Sequence, residues 1–205
     1  IDYADNYVND ISKEVEDAFV FGKGRAYGAE FFLKKAKGKL NGWIGYTLSR
    51  SERSFEDIEE GRWYPAVYDR PHDLSVVVNY KPSKKWDLGA VFIYGTGKLF
   101  TPVRGFFFVE QSVNLFYGPR NSARLDDYHR LDLSATYTPK PDSKKRFKGS
   151  WTFSVYNTYN RKNPFFVNFD TTTDFQTGTN TITGTKITIF PLIPSITYNF
   201  KWNQK

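Results

Sequence analysis

The 205-residue chain has no cysteine and no methionine. Without cysteine there is no disulfide framework, no thiolate zinc or iron–sulfur site and no thiol nucleophile. An oxidising compartment stays compatible with that composition. Without methionine, initiator included, the sequence reads as a piece of a longer or processed chain, so the lack of a visible signal peptide carries little weight. No run approaches the roughly 18 consecutive apolar residues of a membrane helix. Helical periodicity is scarce.

Aromatic side chains are abundant instead: 19 Phe, 14 Tyr and 5 Trp make up 19% of the chain, although its mean hydropathy is polar. The main signal is period-two alternation, the mark of a strand with two unlike faces. Ile196, Tyr198, Phe200 and Trp202 share one parity, and Thr197, Asn199 and Lys201 the other. Leu131, Leu133, Ala135 and Tyr137 alternate with Arg130, Asp132, Ser134 and Thr136. The same pattern appears in Tyr27–Leu33, Leu40–Leu48, Leu74–Tyr80, Trp86–Tyr94 and Trp151–Val155, with Trp43, Val91 and Ile93 out of step. Seven strands of about 9–12 residues follow, a length that suits tilted membrane strands better than the about 5–6 residues of a soluble sandwich.

The links alternate too. Residues 34–39, 81–85 and 138–149 are short; 51–69, 96–127 and 160–188 are long. Twelve lysines and arginines crowd the short links against the single Asp142, and the rest of the chain is net acidic despite the overall +7. Tyr80, Trp86, Tyr137, Trp151 and Trp202 fall near that basic end, as an interfacial aromatic belt does. The expected fold is all-β, an antiparallel transmembrane β-barrel with short periplasmic turns and long extracellular loops. Seven strands do not close a single-chain barrel of even strand number, and an open edge in lipid leaves backbone groups unpaired. Further N-terminal strands are therefore expected. On this reading residues 1–24 end an extracellular loop, 25–202 form seven C-terminal transmembrane strands, and 203–205 are a periplasmic tail.

Motifs that suggest other chemistry are weak. His72 and His129 each sit where a long loop enters a strand, without a nucleophile elbow or enough ligands for a metal. They fit a polar rim in which Arg70, Asp73, Arg130 and Asp132 pair across neighbouring strands, with lipid headgroup phosphates as a lesser alternative. Gly95-Thr96-Gly97-Lys98 has Leu99 where a phosphate loop needs Ser or Thr, and reads as strand-end and turn glycines, as does Gly22-Lys23-Gly24. The basic turns lack the interleaved aromatics of a nucleic-acid platform; anionic lipid headgroups or plain solvation account for them. No catalytic residue, metal or cofactor is expected. The long loops carry Trp63, Tyr64, Tyr68, Phe106, Phe107, Phe108, Phe116, Tyr117, Phe165, Phe166, Phe169 and Phe175. Ligand capture, an external lid or partner, and packing of loop on loop are all open for them.

Several segments taken together resemble the late barrel strands of Bacteroidetes-type TonB-dependent outer-membrane receptors. They are Gly22–Glu30, Gly42–Ser51, Tyr68–Leu74, Tyr94–Gly97, Asp127–Leu133 and Pro194–Lys201, in the family's order. The resemblance implies a barrel of about 22 strands in the cell outer membrane, closed by an N-terminal plug and importing a scarce nutrient with energy passed from TonB. Neither plug nor TonB-contacting box lies in these residues. It also implies that the final aromatic strand, here Tyr198, Phe200 and Trp202, signals to the barrel-assembly machinery, although Asn203-Gln204-Lys205 extends past the usual aromatic end. A surface lipoprotein lid accompanies some members.

The resulting expectation is one wall of an importer. Glu30, Lys34, Asp73, Asn79, Arg130 and Asp132 would line the lumen and hold or hydrate the plug. Trp63, Tyr64, Tyr68, Phe107, Tyr117 and Phe165 would meet ligand or lid. The partners would be the missing strands and plug, TonB through them, and outer-membrane lipid, with no nucleic acid. Two rival readings are a receptor-like barrel serving as a structural or assembly subunit, and a soluble β-sandwich binding glycan.

Overall fold

The computed structural model describes residues 2–3, 19–109, 112–142, 146–174 and 179–202. Seven long strands form one antiparallel meander: β1 (Gly22–Lys35), β2 (Leu40–Phe55), β3 (His72–Tyr80), β4 (Trp86–Gly95), β5 (Tyr128–Tyr137), β6 (Phe147–Tyr156) and β7 (Ile193–Trp202). Each pairs with its sequence neighbour, so the order in the sheet is the order in the chain. Among the described residues no pairing joins β1 to β7, and the sheet is open. β1 starts at Gly22, inside the segment assigned to a loop, and β2 continues to Phe55, taking in the first five residues of the link expected from residue 51.

The register places the two parities on separate faces. Across β4 to β7, Trp86 faces Tyr137, Tyr137 faces Trp151 and Trp151 faces Tyr198. The Trp86 and Tyr137 rings are 4.9 Å apart and the Trp151 and Tyr198 rings 4.8 Å. This aromatic row lies one step from the short turns, where amphipathic rings bridge an apolar band and a wet edge. A Cβ on Gly149 would sit 2.2 Å from the Tyr198 hydroxyl, so only glycine lets that ring lie across β6. Away from the row the same face carries Leu131, Phe92, Val76 and Ile44 in a continuous band.

The opposite face is polar toward β7 and mixed toward β1. Ser134, Ser154 and Ser195 align across β5–β7, as do Thr136, Thr152 and Thr197. Ser154 and Ser195 hydroxyls are 2.7 Å apart, and those of Thr136 and Thr152 3.0 Å. The residues that broke the alternation, Trp43, Val91 and Ile93, stand on this face. There Trp43 packs beside Phe32 at 5.8 Å over the open surface of Gly45.

Among the described residues neither face has a core beneath it. Leu133, Phe153 and Tyr198 keep 41–44% of their surface exposed, which an isolated soluble domain would not leave uncovered on such a scale. The buried apolar residues, Phe55, Ile58, Tyr64, Ala66, Leu99 and Leu125, all lie at the long-loop end. At the other end the turns are tied by Lys81 N–H to the Lys39 carbonyl, Thr138 N–H to the Lys85 carbonyl, and Lys84 to Asp142 at 3.0 Å.

Two of the long links hold hairpins of their own: Val103–Val109 with Ser112–Tyr117, and Pro164–Asp174 with Thr179–Thr188. Their cue was the β-branched and aromatic alternation in Phe166–Thr172 and Thr181–Thr188.

Candidate functional site in the loop cap

The long loops form a packed cap. Ile58 is 1% exposed against Phe55 and Tyr64, and the Tyr64 ring stacks on Phe55 at 6.4 Å. Tyr64 was expected among exposed ligand-facing aromatics; burial at 6% exposure makes it a packing residue that shows only part of itself to the cleft beside it. Next to it, buried Glu52 accepts from Arg25 at 2.8 Å and from Arg50 at 2.7 Å. The other side of Arg25 covers the Trp63 ring at 4.3 Å, a cation–π contact that orders an otherwise exposed indole.

Loops far apart in sequence are locked by polar side chains. Arg124, on the second loop, donates to the Asp69 carbonyl at 2.8 Å and the Gly97 carbonyl at 3.0 Å, and pairs with the Asp69 carboxylate. The same carboxylate accepts the Ser51 N–H at 2.7 Å. Asp127 accepts the Tyr94 hydroxyl at 2.6 Å and the Gly97 N–H at 3.0 Å. These bonds, the Tyr94 one foremost, hold its carboxyl below the ordinary carboxylate range. The glycine run thus binds the chain's own carboxylate, and Gly97 is required because a Cβ would fall 1.8 Å from the Leu125 carbonyl oxygen. Fully buried Asn157 bonds the Arg161 and Phe190 carbonyls, and Asn163 bonds the backbone of His129 from both ends of its amide.

A cleft of about 1040 Å³ opens between the first two loops. It brings together Tyr68, Phe107 and Tyr117 of the expected contact residues, with Phe116 and the edge of Tyr64. Val67, Leu115, Arg53, Glu59 and Arg120 complete much of its wall. Trp63 lies in an adjoining cleft of about 610 Å³. Phe165 lines a third, of about 310 Å³ over β4–β6, with Lys98 5.0 Å from its ring. Phe106 and Phe108, on one strand, meet edge to face at 5.7 Å with Phe108 still exposed, and Phe169 lies tilted 6.3 Å from Phe100, packing the third loop on the second. Phe175 lies outside the described residues.

The family model described as TonB dependent receptor-like, beta-barrel matches residues 2–158, well over half of the chain. The chain belongs to that family. No curated protein and no solved structure matches it. The receptor-barrel match stops at residue 158, but the sheet continues: β7 pairs with β6 over ten residues, from Phe147–Trp202 to Tyr156–Ile193.

On this receptor barrel, Glu30, Lys34, Asp73, Asn79, Arg130 and Asp132 all stand on the polar face, linked by register through Thr47, Trp43, Val91 and Ser134. The expected rim of ion pairs between neighbouring strands is corrected. Arg70 pairs with Asp73 at 3.3 Å and Arg130 with Asp132 at 2.9 Å, each within its own segment. Arg130 bonds the Tyr128 hydroxyl of its own strand at 2.8 Å and reaches the neighbouring β6 only through an aromatic group, lying 4.0 Å over the Tyr156 ring. The histidines are not in that rim either. Their register puts them on the apolar face, His72 2.8 Å from the Tyr46 hydroxyl and His129 2.7 Å from that of Tyr159. Tyr198, Phe200 and Trp202 share the apolar face of β7, with Phe200 stacked on Phe147 at 5.9 Å.

Proposed function

We propose that the chain is the last seven-stranded portion of a Bacteroidetes-type TonB-dependent outer-membrane receptor of about 22 strands. It would import a nutrient through a plugged lumen, with no catalytic step. The observation carrying this reading is the distribution of burial: the wall has an uncovered apolar face, and among the described residues the consolidated packing is a loop cap around an aromatic cleft. A continuous apolar face suits lipid. A rigid cap bearing exposed aromatics suits capture of ligand before entry. The polar-face residues from Glu30 to Asp132 would meet the plug, and Tyr198, Phe200 and Trp202 would be read during assembly. Basic turns would lie on the periplasmic side beside anionic headgroups.

The test uses a strain deleted for the receptor gene. Its lost growth substrate identifies the nutrient, and the receptor is restored with Trp63→Ala, Phe107→Ala and Tyr117→Ala combined. Uptake of that nutrient is expected to fall about tenfold or more, as for loss of several buried aromatic contacts. Undiminished uptake would remove the loops from ligand capture. Growth that never depends on TonB would favour the second reading, a scaffold whose exposed Phe165 and Phe166 dock a partner or a lipoprotein lid.

A further inference from the structure

The cleft between the first two loops carries a charge that no acid among the described residues neutralises. Arg53 stands at the loop end of β2, half-buried, with its side chain in the cleft wall. Its register partner on β1 is Gly24, which has no side chain to meet it, and its partner on the other side is the aromatic Tyr64. Among the described residues no carboxylate lies within ion-pair distance of it. Other arginines of the cap are engaged: Arg25 and Arg50 on Glu52, Arg70 on Asp73, and Arg124 on Asp69. The acid in the same wall, Glu59, is committed elsewhere. One of its oxygens accepts the Arg120 N–H at 2.6 Å and the other lies 3.6 Å from Arg62. A guanidinium partly withdrawn from water without a counter-ion sits in an unfavourable place, and an incoming anion relieves it.

The shape of that anion follows from the rest of the wall. Tyr68, Phe107, Phe116 and Tyr117 stay 49–79% exposed around the same space. Their flat faces favour a flat apolar body, and the volume suits one of drug-like size or larger. We propose that this cleft binds a ligand in which one carboxylate is attached to a planar apolar body. The carboxylate is forked on Arg53 and the body lies between Tyr68 and the Phe107–Tyr117 wall. A guanidinium fork matches a carboxylate in a planar, two-bond geometry. A doubly charged phosphate would bring a second negative charge into a wall that already holds Glu59, whereas one carboxylate matches the single charge of Arg53. This rests on the ligand-capture reading of the loops and adds the chemical class.

The probes are 2-naphthoate and 2-naphthamide, equal in shape and different in charge, titrated calorimetrically against the full-length receptor in detergent. The acid is expected to bind about tenfold or more tightly than the amide. Arg53→Gln should bring acid and amide within about twofold of each other, and Arg53→Lys should restore part of the gap, since charge returns without the fork. Lys84→Gln, at the opposite end of the sheet, should change neither affinity. Equal binding of acid and amide by the wild-type receptor overturns the acid class. So does an Arg53→Gln receptor that still prefers the acid. If Phe107→Ala then weakens both probes, capture by the loops survives that loss. If neither probe binds, both the acid class and the aromatic cleft as a capture site fall.

Discussion

Arg124 grips Asp69 twice, through the carboxylate and through the same residue's backbone carbonyl at 2.8 Å, across 55 positions of sequence. The acid is buried, and its other oxygen is taken by the Ser51 N–H. This contact fastens the second loop to the base of the first, together with the Arg120 N–H on Glu59 and the Asn121 amide on the Pro65 carbonyl, and the cleft lies between those loops. Removing the carboxylate charge leaves the half-buried Arg124 guanidinium without its counter-ion, at about 1–3 kcal/mol. Asp69→Asn, which keeps an oxygen for Ser51, should therefore open the first two loops to protease on whole cells and raise amide exchange at Gly97 and Ala66. Asp69→Asn combined with Arg124→Met should recover part of the loss. Unaltered protease resistance in the single variant would show that the clamp does not hold the cap.

The two faces of β5 make opposite predictions at adjacent residues. Leu133 belongs to the apolar band and Ser134 to the hydroxyl row that continues through Ser154 and Ser195. Arginine near the middle of a lipid face costs about 2–4 kcal/mol, whereas a lumen face tolerates it. Leu133→Arg should reduce the folded, heat-modifiable fraction in the membrane, and Ser134→Arg should leave it near wild type. The reverse ranking would turn the sheet inside out.

Acid stability provides a third check, at Asp127. Its carboxyl titrates lower in the folded protein than in the unfolded chain, because the Tyr94 hydroxyl and the Gly97 N–H donate to the ionised form. The stability it contributes is thus fully present above the unfolded value and is lost as pH falls through the lower, folded value. The junction of the second loop with β4 should stay protected at pH 5 and loosen only in strongly acidic solution, below the ordinary carboxylate range. Amide exchange at Gly97 followed against pH reads this directly. Asp127→Asn should remove the acid step and leave Gly97 less protected at neutral pH.

Assembly should depend on the fit of Tyr198 over Gly149. A side chain at Gly149 would meet the Tyr198 hydroxyl and ring carbons at 2.2–3.0 Å, so Gly149→Val must push that ring off Trp151. Pulse-labelled receptor is expected to reach its folded form several-fold more slowly in Gly149→Val and in Tyr198→Ser, the latter by loss of the aromatic pair. Trp151→Phe, which keeps a ring, should assemble almost normally. Equal assembly rates in all three would detach the aromatic row from biogenesis.

Alternation from Leu131 to Tyr137 and from Ile196 to Trp202 was enough to show strands, faces and the end that carries the turns. A strand's period of two is local, and each residue type reports its own side. The polar-face set from Glu30 to Asp132 was legible for the same reason. The clefts, the burial of Tyr64, the lone charge of Arg53 and the true partners of Arg130 were not. Each depends on which loop lies against which, as Arg124 finds Asp69 and Asn163 finds His129 over tens of residues. Periodicity carries no information at that range. Composition and alternation by themselves determined a sheet with one apolar face and a basic, aromatic-rimmed end. Only the tertiary structure decided which loop residues pack, which pair and which remain free to bind, because those outcomes depend on burial and distance between segments that no local pattern encodes.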